Sequence, residues 1–182
     1  KKIGYFTQSV LCCPITTKEG EIIGVSQVLN KKGGPFTDED ESRLRAFTTQ
    51  VAISLENSKL FDDVQNMKNY SDGMLQSMSN GVVTLDDEGK IVTCNAAGLK
   101  IMSVTEEEIL DLAGKDHFVD KNSWIMDQVE SVSKTQESAI TMDAELHFGE
   151  EKISANTSVL PLADPEGKHL GTLIMIEDIS SE

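Results

Sequence analysis

Residues 37–78 of this sequence keep a continuous helical periodicity of apolar residues. This long segment separates two parts of the chain whose sequence patterns differ. Apolar side chains recur along it in steps of three, four or seven residues, and neither Gly nor Pro interrupts it before Gly73. Such a length exceeds that of an ordinary globular helix. The apolar positions are Leu44, Phe47, Val51, Leu55, Leu60, Val64, Met67, Met74 and Met78. We therefore predict one long helix, or two helices with a soft joint.

The start of this helix is marked by several local signals. The breaker Gly33-Gly34-Pro35 ends a strand, and Thr37 then offers an N-cap, with Asp40 three residues on in place of the Glu of a capping box. Lys31, at the strand end, is close enough along the chain to form an ion pair with Asp40. Such a pair contributes roughly 0–1 kcal/mol if exposed and more if Phe36 partly buries it.

The residues before the helix predict a β-hairpin. An apolar run at 9–15 and a β-branched run at 21–29 flank the turn Glu19-Gly20. Gly24 inside the second run suggests a bulge or a close backbone approach. Cys12 and Cys13 lie in the first run, and we expect both to be buried in the strand.

The residues after the helix predict an α+β fold. Two strands, 81–85 and 90–94, are followed by a helix that Asn95 caps, a helix over 105–112 that Gly114 ends, and a helix over 124–133. Three strands follow at 138–148, 152–162 and 169–178, separated by turn residues. We expect the five strands to form one antiparallel sheet.

The long helix itself divides into two stretches with different expected partners. Residues 44–55 are predicted to pack as a core helix on the hairpin. The narrow stripe that follows resembles a coiled-coil seam, and the spacing slips between Leu55 and Leu60 as in a stutter. We therefore expect a homodimer whose seam consists of Leu60, Val64, Met67, Met74 and Met78.

Charge and hydropathy exclude several function classes. The net charge of −15 opposes binding to nucleic acid, which rests on neutralising phosphates, and to anionic lipid. We see neither a secretion signal nor the roughly 20 apolar residues that span a bilayer, so we expect a cytoplasmic chain without membrane contact.

The sequence has three histidines, His117, His147 and His169, and His117 lies in a loop-like stretch. They show neither the spacing of a zinc site nor visible partners.

Residues 80–182 resemble a PAS domain. The resemblance rests on the hairpin GVVTLDDEGKIVTCN, with Asn95 after its second strand, and on the closing strand HLGTLIMIEDIS. Cys94 does not stand where the family's flavin-binding members carry their reactive cysteine. His117 does not lie on a long helix, as an axial haem ligand would. We therefore expect no cofactor in this chain.

Residues 1–59 resemble the C-terminal part of a GAF domain, joined to the PAS domain by a coiled-coil-like linker over 60–79. The segment NKKGGPFTDEDE matches the NKxnFx3DE signature of cyclic-nucleotide-binding GAF domains. The matching residues are Asn30, Lys31, Phe36, Asp40 and Glu41. The resemblance implies that they support a pocket for cyclic AMP rather than touch the nucleotide, and that this part alone binds it poorly.

The order GAF, helix, PAS resembles the regulatory region of cyanobacterial-type class III adenylyl cyclases. That resemblance implies a downstream catalytic domain that converts ATP to 3′,5′-cyclic AMP and diphosphate; we find no catalytic or metal-binding set in the chain itself. Two alternatives stay open. The output could be a histidine kinase or a diguanylate cyclase, or the PAS domain could sense a small molecule of its own.

Overall fold

The structure is a computed structural model that describes residue 4 and residues 6–180. The outermost residues of the first and last predicted domains, 1–3 and 181–182, and residue 5 lie outside the described part. The chain divides into two compact units, residues 1–69 and 70–182. None of the helices in the described part of the chain combines the length and the apolar character that a membrane span requires.

The first unit begins with a two-stranded antiparallel hairpin of β1 (Val10–Thr16) and β2 (Ile22–Leu29). Ile15 pairs with Gly24 whereas Thr16 pairs with Ile22, so one extra residue bulges next to Gly24, as the sequence predicted. Cys13 is buried but Cys12 is exposed, so the expectation that both are buried was wrong. Successive residues of a strand point to opposite faces, and only one face of this hairpin is covered.

Helix α1 (Asp38–Ser77) is a single element of 40 residues, so the alternative of two helices with a soft joint was wrong. Its buried residues in the first half are Leu44, Thr48 and Ala52, one line of positions four apart. Cys13 of β1 meets this line, since its Sγ lies 3.6 Å from Thr48 Oγ1. Phe47 and Leu55, predicted to be core, are exposed because a two-stranded hairpin covers only a narrow strip of the helix.

The second unit contains a five-stranded sheet in the order β4-β3-β7-β6-β5, antiparallel throughout. The strands are β3 (Gly81–Leu85), β4 (Ile91–Cys94), β5 (Ala139–Phe148), β6 (Glu151–Ala163) and β7 (His169–Asp178). The last strand thus lies beside the first strand of the sheet, and the predicted α+β fold with five antiparallel strands is confirmed.

The helices between β4 and β5 are short. They are α2 (Ala96–Met102), α3 (Glu106–Ile109), α4 (Gly114–His117), a 3-10 turn (Asp120–Asn122) and α5 (Trp124–Thr135). The helix predicted over 105–112 stops at Ile109 because Asp111 and Leu112 form backbone hydrogen bonds with Ile91 of β4. Gly114 opens the next helix rather than ending this one. A side chain there would lie 2.5 Å from Leu85.

The core of this unit lies between the sheet and these helices. Its fully buried side chains include Val83, Leu85, Ile91, Phe118, Ile125, Val132, Leu146, Val159, Ile174 and Ile176. Helix α5 packs on β6 and β7, and the Asn122 side chain is bonded to the backbone of His147, at 2.6 and 3.0 Å. These contacts hold the helical segment against the inner face of the sheet.

Candidate functional site

Asn30 joins the end of β2 to the segment before β1. Its backbone is left-handed, with a φ of 56°, a conformation that Asn tolerates better than most residues. Its Oδ1 accepts a hydrogen bond from the Gln8 backbone N–H at 2.6 Å, and its Nδ2 donates to the Phe6 carbonyl at 2.9 Å. The sequence placed Asn30 in a signature but did not predict these bonds, because they depend on the hairpin bringing residues 6–9 alongside.

Lys31 and Asp40 form the ion pair that the sequence predicted. Asp40 also accepts hydrogen bonds from the backbone N–H and the hydroxyl of Thr37, at 2.8 and 2.9 Å. The Lys31 ammonium, aided by the Thr37 donors, lowers the pKa of Asp40 from 3.8 to about 2. Both charged side chains are about a quarter exposed. The pair therefore connects the end of β2 to the first turn of α1.

The other two signature residues lie apart from this pair. Phe36 is half-buried in the loop that leads to α1. Glu41 forms an exposed ion pair with Arg45, at 2.6 Å, one turn along the helix. The structure therefore brings together Asn30, Lys31 and Asp40 around the turn after β2, and directs Glu41 along the helix surface.

Asn95, 3% exposed, connects the last turn of α1 to the sheet and to α2. Its Nδ2 donates to the carbonyls of Leu75 and Asn80, at 3.0 and 2.9 Å. Its Oδ1 accepts from the backbone N–H groups of Val82 and Gly98, both at 2.8 Å. The Gln76 side chain accepts from the Ala96 N–H at 2.8 Å. The sequence predicted Asn95 only as the cap of α2, and the contact with α1 was missed.

A groove of about 490 Å³ in the second unit is lined by Met102, His117, His147 and Phe148, among others. His117 lies at the end of α4 rather than in a loop, and its Nε2 lies 3.3 Å from Met102 Sδ. Burial lowers the pKa of His117, which favours its neutral form. Among the described residues, no group of three or more His, Cys, Asp and Glu side chains could hold a metal ion.

The other two histidines have partners that the sequence did not reveal. His147 Nε2 lies 3.0 Å from a Glu145 carboxylate oxygen, two residues away on β5. His169 Nε2 lies 3.6 Å from Asp87 in the turn between β3 and β4. The first partner follows from the two-residue repeat of a strand, and the second requires the sheet order.

The predicted seam residues are all exposed to solvent. Leu60, Val64 and Met67 are 62, 68 and 74% exposed, and Met74 and Met78 are 48 and 40% exposed. Met78 lies one residue beyond the end of α1. The structure thus leaves an apolar stripe on α1, and the dimer remains a prediction.

Two protein families match the chain. The PAS fold family matches residues 75–182, and the GAF domain family matches residues 3–55.

Individual proteins of known function are also similar to part of this sequence. The dual 3′,5′-cyclic-AMP and -GMP phosphodiesterase 11A of Takifugu rubripes is 36% identical over 94 residues, 50% of this chain and 10% of that protein. The cGMP-specific 3′,5′-cyclic phosphodiesterase of Drosophila mojavensis is 41% identical over 63 residues, 34% of this chain and 6% of that protein. The chain therefore spans a tenth or less of these relatives.

Solved structures share the fold at low identity. A chain of the E. coli DhaR(N)–DhaL complex has a TM-score of 0.58 and 16% identity, covering 92% of this chain and 54% of its own. The PAS domain of a Colwellia psychrerythraea protein has a TM-score of 0.52 and 15% identity, covering 64% of this chain and 99% of its own. Since the family match over residues 75–182 covers more than half of the sequence, and the sheet has the matching architecture, the chain belongs to the PAS fold family, with a GAF match before it.

Proposed function

We propose that this chain is a sensory and relay segment of an adenylate cyclase, in which the GAF part responds to cyclic AMP and the PAS part passes the response on. The observation that carries the proposal is the Lys31–Asp40 pair inside the NKxnFx3DE segment. Similarity to phosphodiesterases named for cyclic AMP and cyclic GMP supports a cyclic nucleotide as the ligand. The order of GAF match, long helix and PAS match supports a cyclase as the output.

In this proposal Lys31 and Asp40 act as positioning residues. Their ion pair and the two bonds from Thr37 hold the first turn of α1 against the end of β2. A nucleotide pocket built on these elements keeps its shape only while that junction stays closed. The pair thus contributes to affinity through geometry, without contact to the nucleotide.

The relay in this proposal runs through α1 as a homodimer. Burying each of Leu60, Val64, Met67 and Met74 against a second copy contributes roughly 1.5–3 kcal/mol. Four such residues per chain are enough to offset an association cost on the order of 4–15 kcal/mol. At the end of α1, the hydrogen bonds of Asn95 and Gln76 carry a movement of the helix to α2 and β3.

A second candidate function is a PAS domain that senses its own small molecule. The groove lined by Met102, His117 and Phe148 favours it, since it combines apolar walls with a half-buried imidazole. Mass spectrometry of the gently purified chain would show a retained small molecule if the groove is a binding site.

A histidine kinase or a diguanylate cyclase remains an alternative output domain for the relay.

Calorimetric titration with cyclic AMP and cyclic GMP tests the main proposal. It is done on the longer protein that we propose carries this chain. We expect Asp40→Ala to raise the dissociation constant of the nucleotide roughly tenfold. Glu39→Ala is the matched control and should leave it unchanged, because Glu39 lies outside the signature and pairs with Arg43 along the helix surface. If the parent and Asp40→Ala bind the nucleotide with equal affinity, the Lys31–Asp40 pair does not support the pocket.

A further inference from the structure

The middle of α1 carries a heptad pattern that is more specific than an apolar stripe. Leu60, Val64 and Met67 follow one another in steps of four and three, which are the d, a and d positions of a heptad. All three side chains are more than 60% exposed, so this seam is open in the single chain. The remaining heptad positions can therefore be assigned by counting.

The a position before Leu60 is held by Asn57, which is exposed. A polar Asn at an a position weakens a coiled coil but fixes its register and the number of its strands, because the two amides bond to each other only when they lie at the same level. The residue lies at the start of the open seam, where it can set the alignment of everything that follows.

The flanking positions carry opposite charges. Asp63 occupies the g position before Val64, and Lys68 occupies the e position after Met67, five residues further on. Both are exposed. In a parallel, in-register pair, a g residue of one helix faces the e residue of the following heptad of the other. An antiparallel pair would instead bring g positions to g positions, and Asp63 would lose this partner.

We propose that residues 57–68 of α1 form a parallel, in-register, two-stranded interface with a second copy of this chain. Asn57 pairs with its symmetry mate, and Asp63 pairs with Lys68 of the second copy on both sides of the seam. Charge complementarity and the open apolar stripe identify this occupant. The inference deepens the proposed function, since it names the residues that align the two copies, but it does not depend on which nucleotide binds.

Sedimentation equilibrium of the 182-residue chain tests this. Asp63→Lys and Lys68→Asp each replace two attractions with two repulsions, and each should weaken dimerisation roughly tenfold. The double swap should restore it, and so should mixing the two single variants, because the mixed pair matches opposite charges on both sides. Asp62→Lys is the control: it makes the same charge change as Asp63→Lys at the exposed f position and should leave the dimerisation constant of the parent unchanged.

Three results would overturn the proposal. If the parent chain sediments as a monomer, the proposed interface does not form. The nucleotide titration could still support the proposed sensing function in that case. If Asp63→Lys and Lys68→Asp dimerise as tightly as the parent, the parallel, in-register pairing is wrong. An Asp62→Lys variant that weakens dimerisation as much as Asp63→Lys would show that only net charge acts.

Discussion

At the scale of single residues, the Lys31–Asp40 pair has a consequence for acid stability. The pKa of Asp40 is lowered from 3.8 to about 2 by Lys31 and the Thr37 donors. A group whose pKa is lower in the folded state stabilises the fold above its unfolded pKa. That contribution is lost as the pH falls from about 4 towards 2.

We therefore expect Asp40→Asn to be less stable than the parent at neutral pH, with a difference that shrinks below about pH 4 and vanishes only below about pH 2. Urea unfolding at several pH values measures it. Glu39→Gln is the control, since it removes the same charge from the same helical turn without touching Lys31. A difference between Asp40→Asn and the parent that is constant with pH would show that the pair is not formed in solution.

Single residues also show how far local sequence reasoning reaches. The cap of α1 at Thr37, the ion pair of Lys31 and the cap of α2 at Asn95 were all predictable, because each involves residues close along the chain. The bonds of Asn30 to residues 6–8 and of Asn95 to Leu75 were not, because each spans about 20 residues. Such contacts depend on how elements pack, which no local pattern encodes.

At the scale of elements, two glycines should respond to alanine in opposite directions. Gly171 in β7 has a φ of 148°, and a Cβ there would lie 2.0 Å from the Leu85 carbonyl oxygen. Gly171→Ala should destabilise the second unit by about 2 kcal/mol or more. Gly73 lies inside α1, where an added Cβ meets no described atom within 4 Å. Gly73→Ala should stabilise the helix by about 0.5–1 kcal/mol.

Thermal unfolding followed by circular dichroism compares the two variants with the parent. A higher midpoint for Gly73→Ala together with a lower one for Gly171→Ala is the expected pattern. If Gly171→Ala has the same unfolding midpoint as the parent, β3 and β7 do not lie as close together in solution as they do in the structure.

Elements were predicted well where local chemistry sets them. The strands and α1 follow from alternation, turn residues and capping. The end of α3 could not be predicted, because it is set by pairing of residues 111–112 with Ile91 of a strand that lies 20 residues earlier. The buried face of α1 was misassigned at Phe47 and Leu55, because the coverage depends on the size of the hairpin and not on the helix pattern.

At the scale of the whole molecule, the function that we propose is a relay. In that proposal a signal enters at the junction of β2 and α1 and leaves through Asn95, which is hydrogen-bonded to Leu75, Val82 and Gly98. Asn95→Asp separates these contacts. It keeps an oxygen to accept from Val82 and Gly98, but it places a second oxygen against the carbonyls of Leu75 and Asn80. The variant should therefore keep α2 capped and detach it from α1.

The most direct test of the relay uses the longer adenylate cyclase that we propose carries this chain. It measures the rate of conversion of isotopically labelled ATP to cyclic AMP against the concentration of added unlabelled cyclic AMP. We expect the parent rate to change with added nucleotide, and Asp40→Ala to require a higher concentration for the same change. Asn95→Asp should bind the nucleotide normally and yet show a flat rate. A parent rate that does not respond to cyclic AMP, or an Asn95→Asp response equal to that of the parent, would contradict the account.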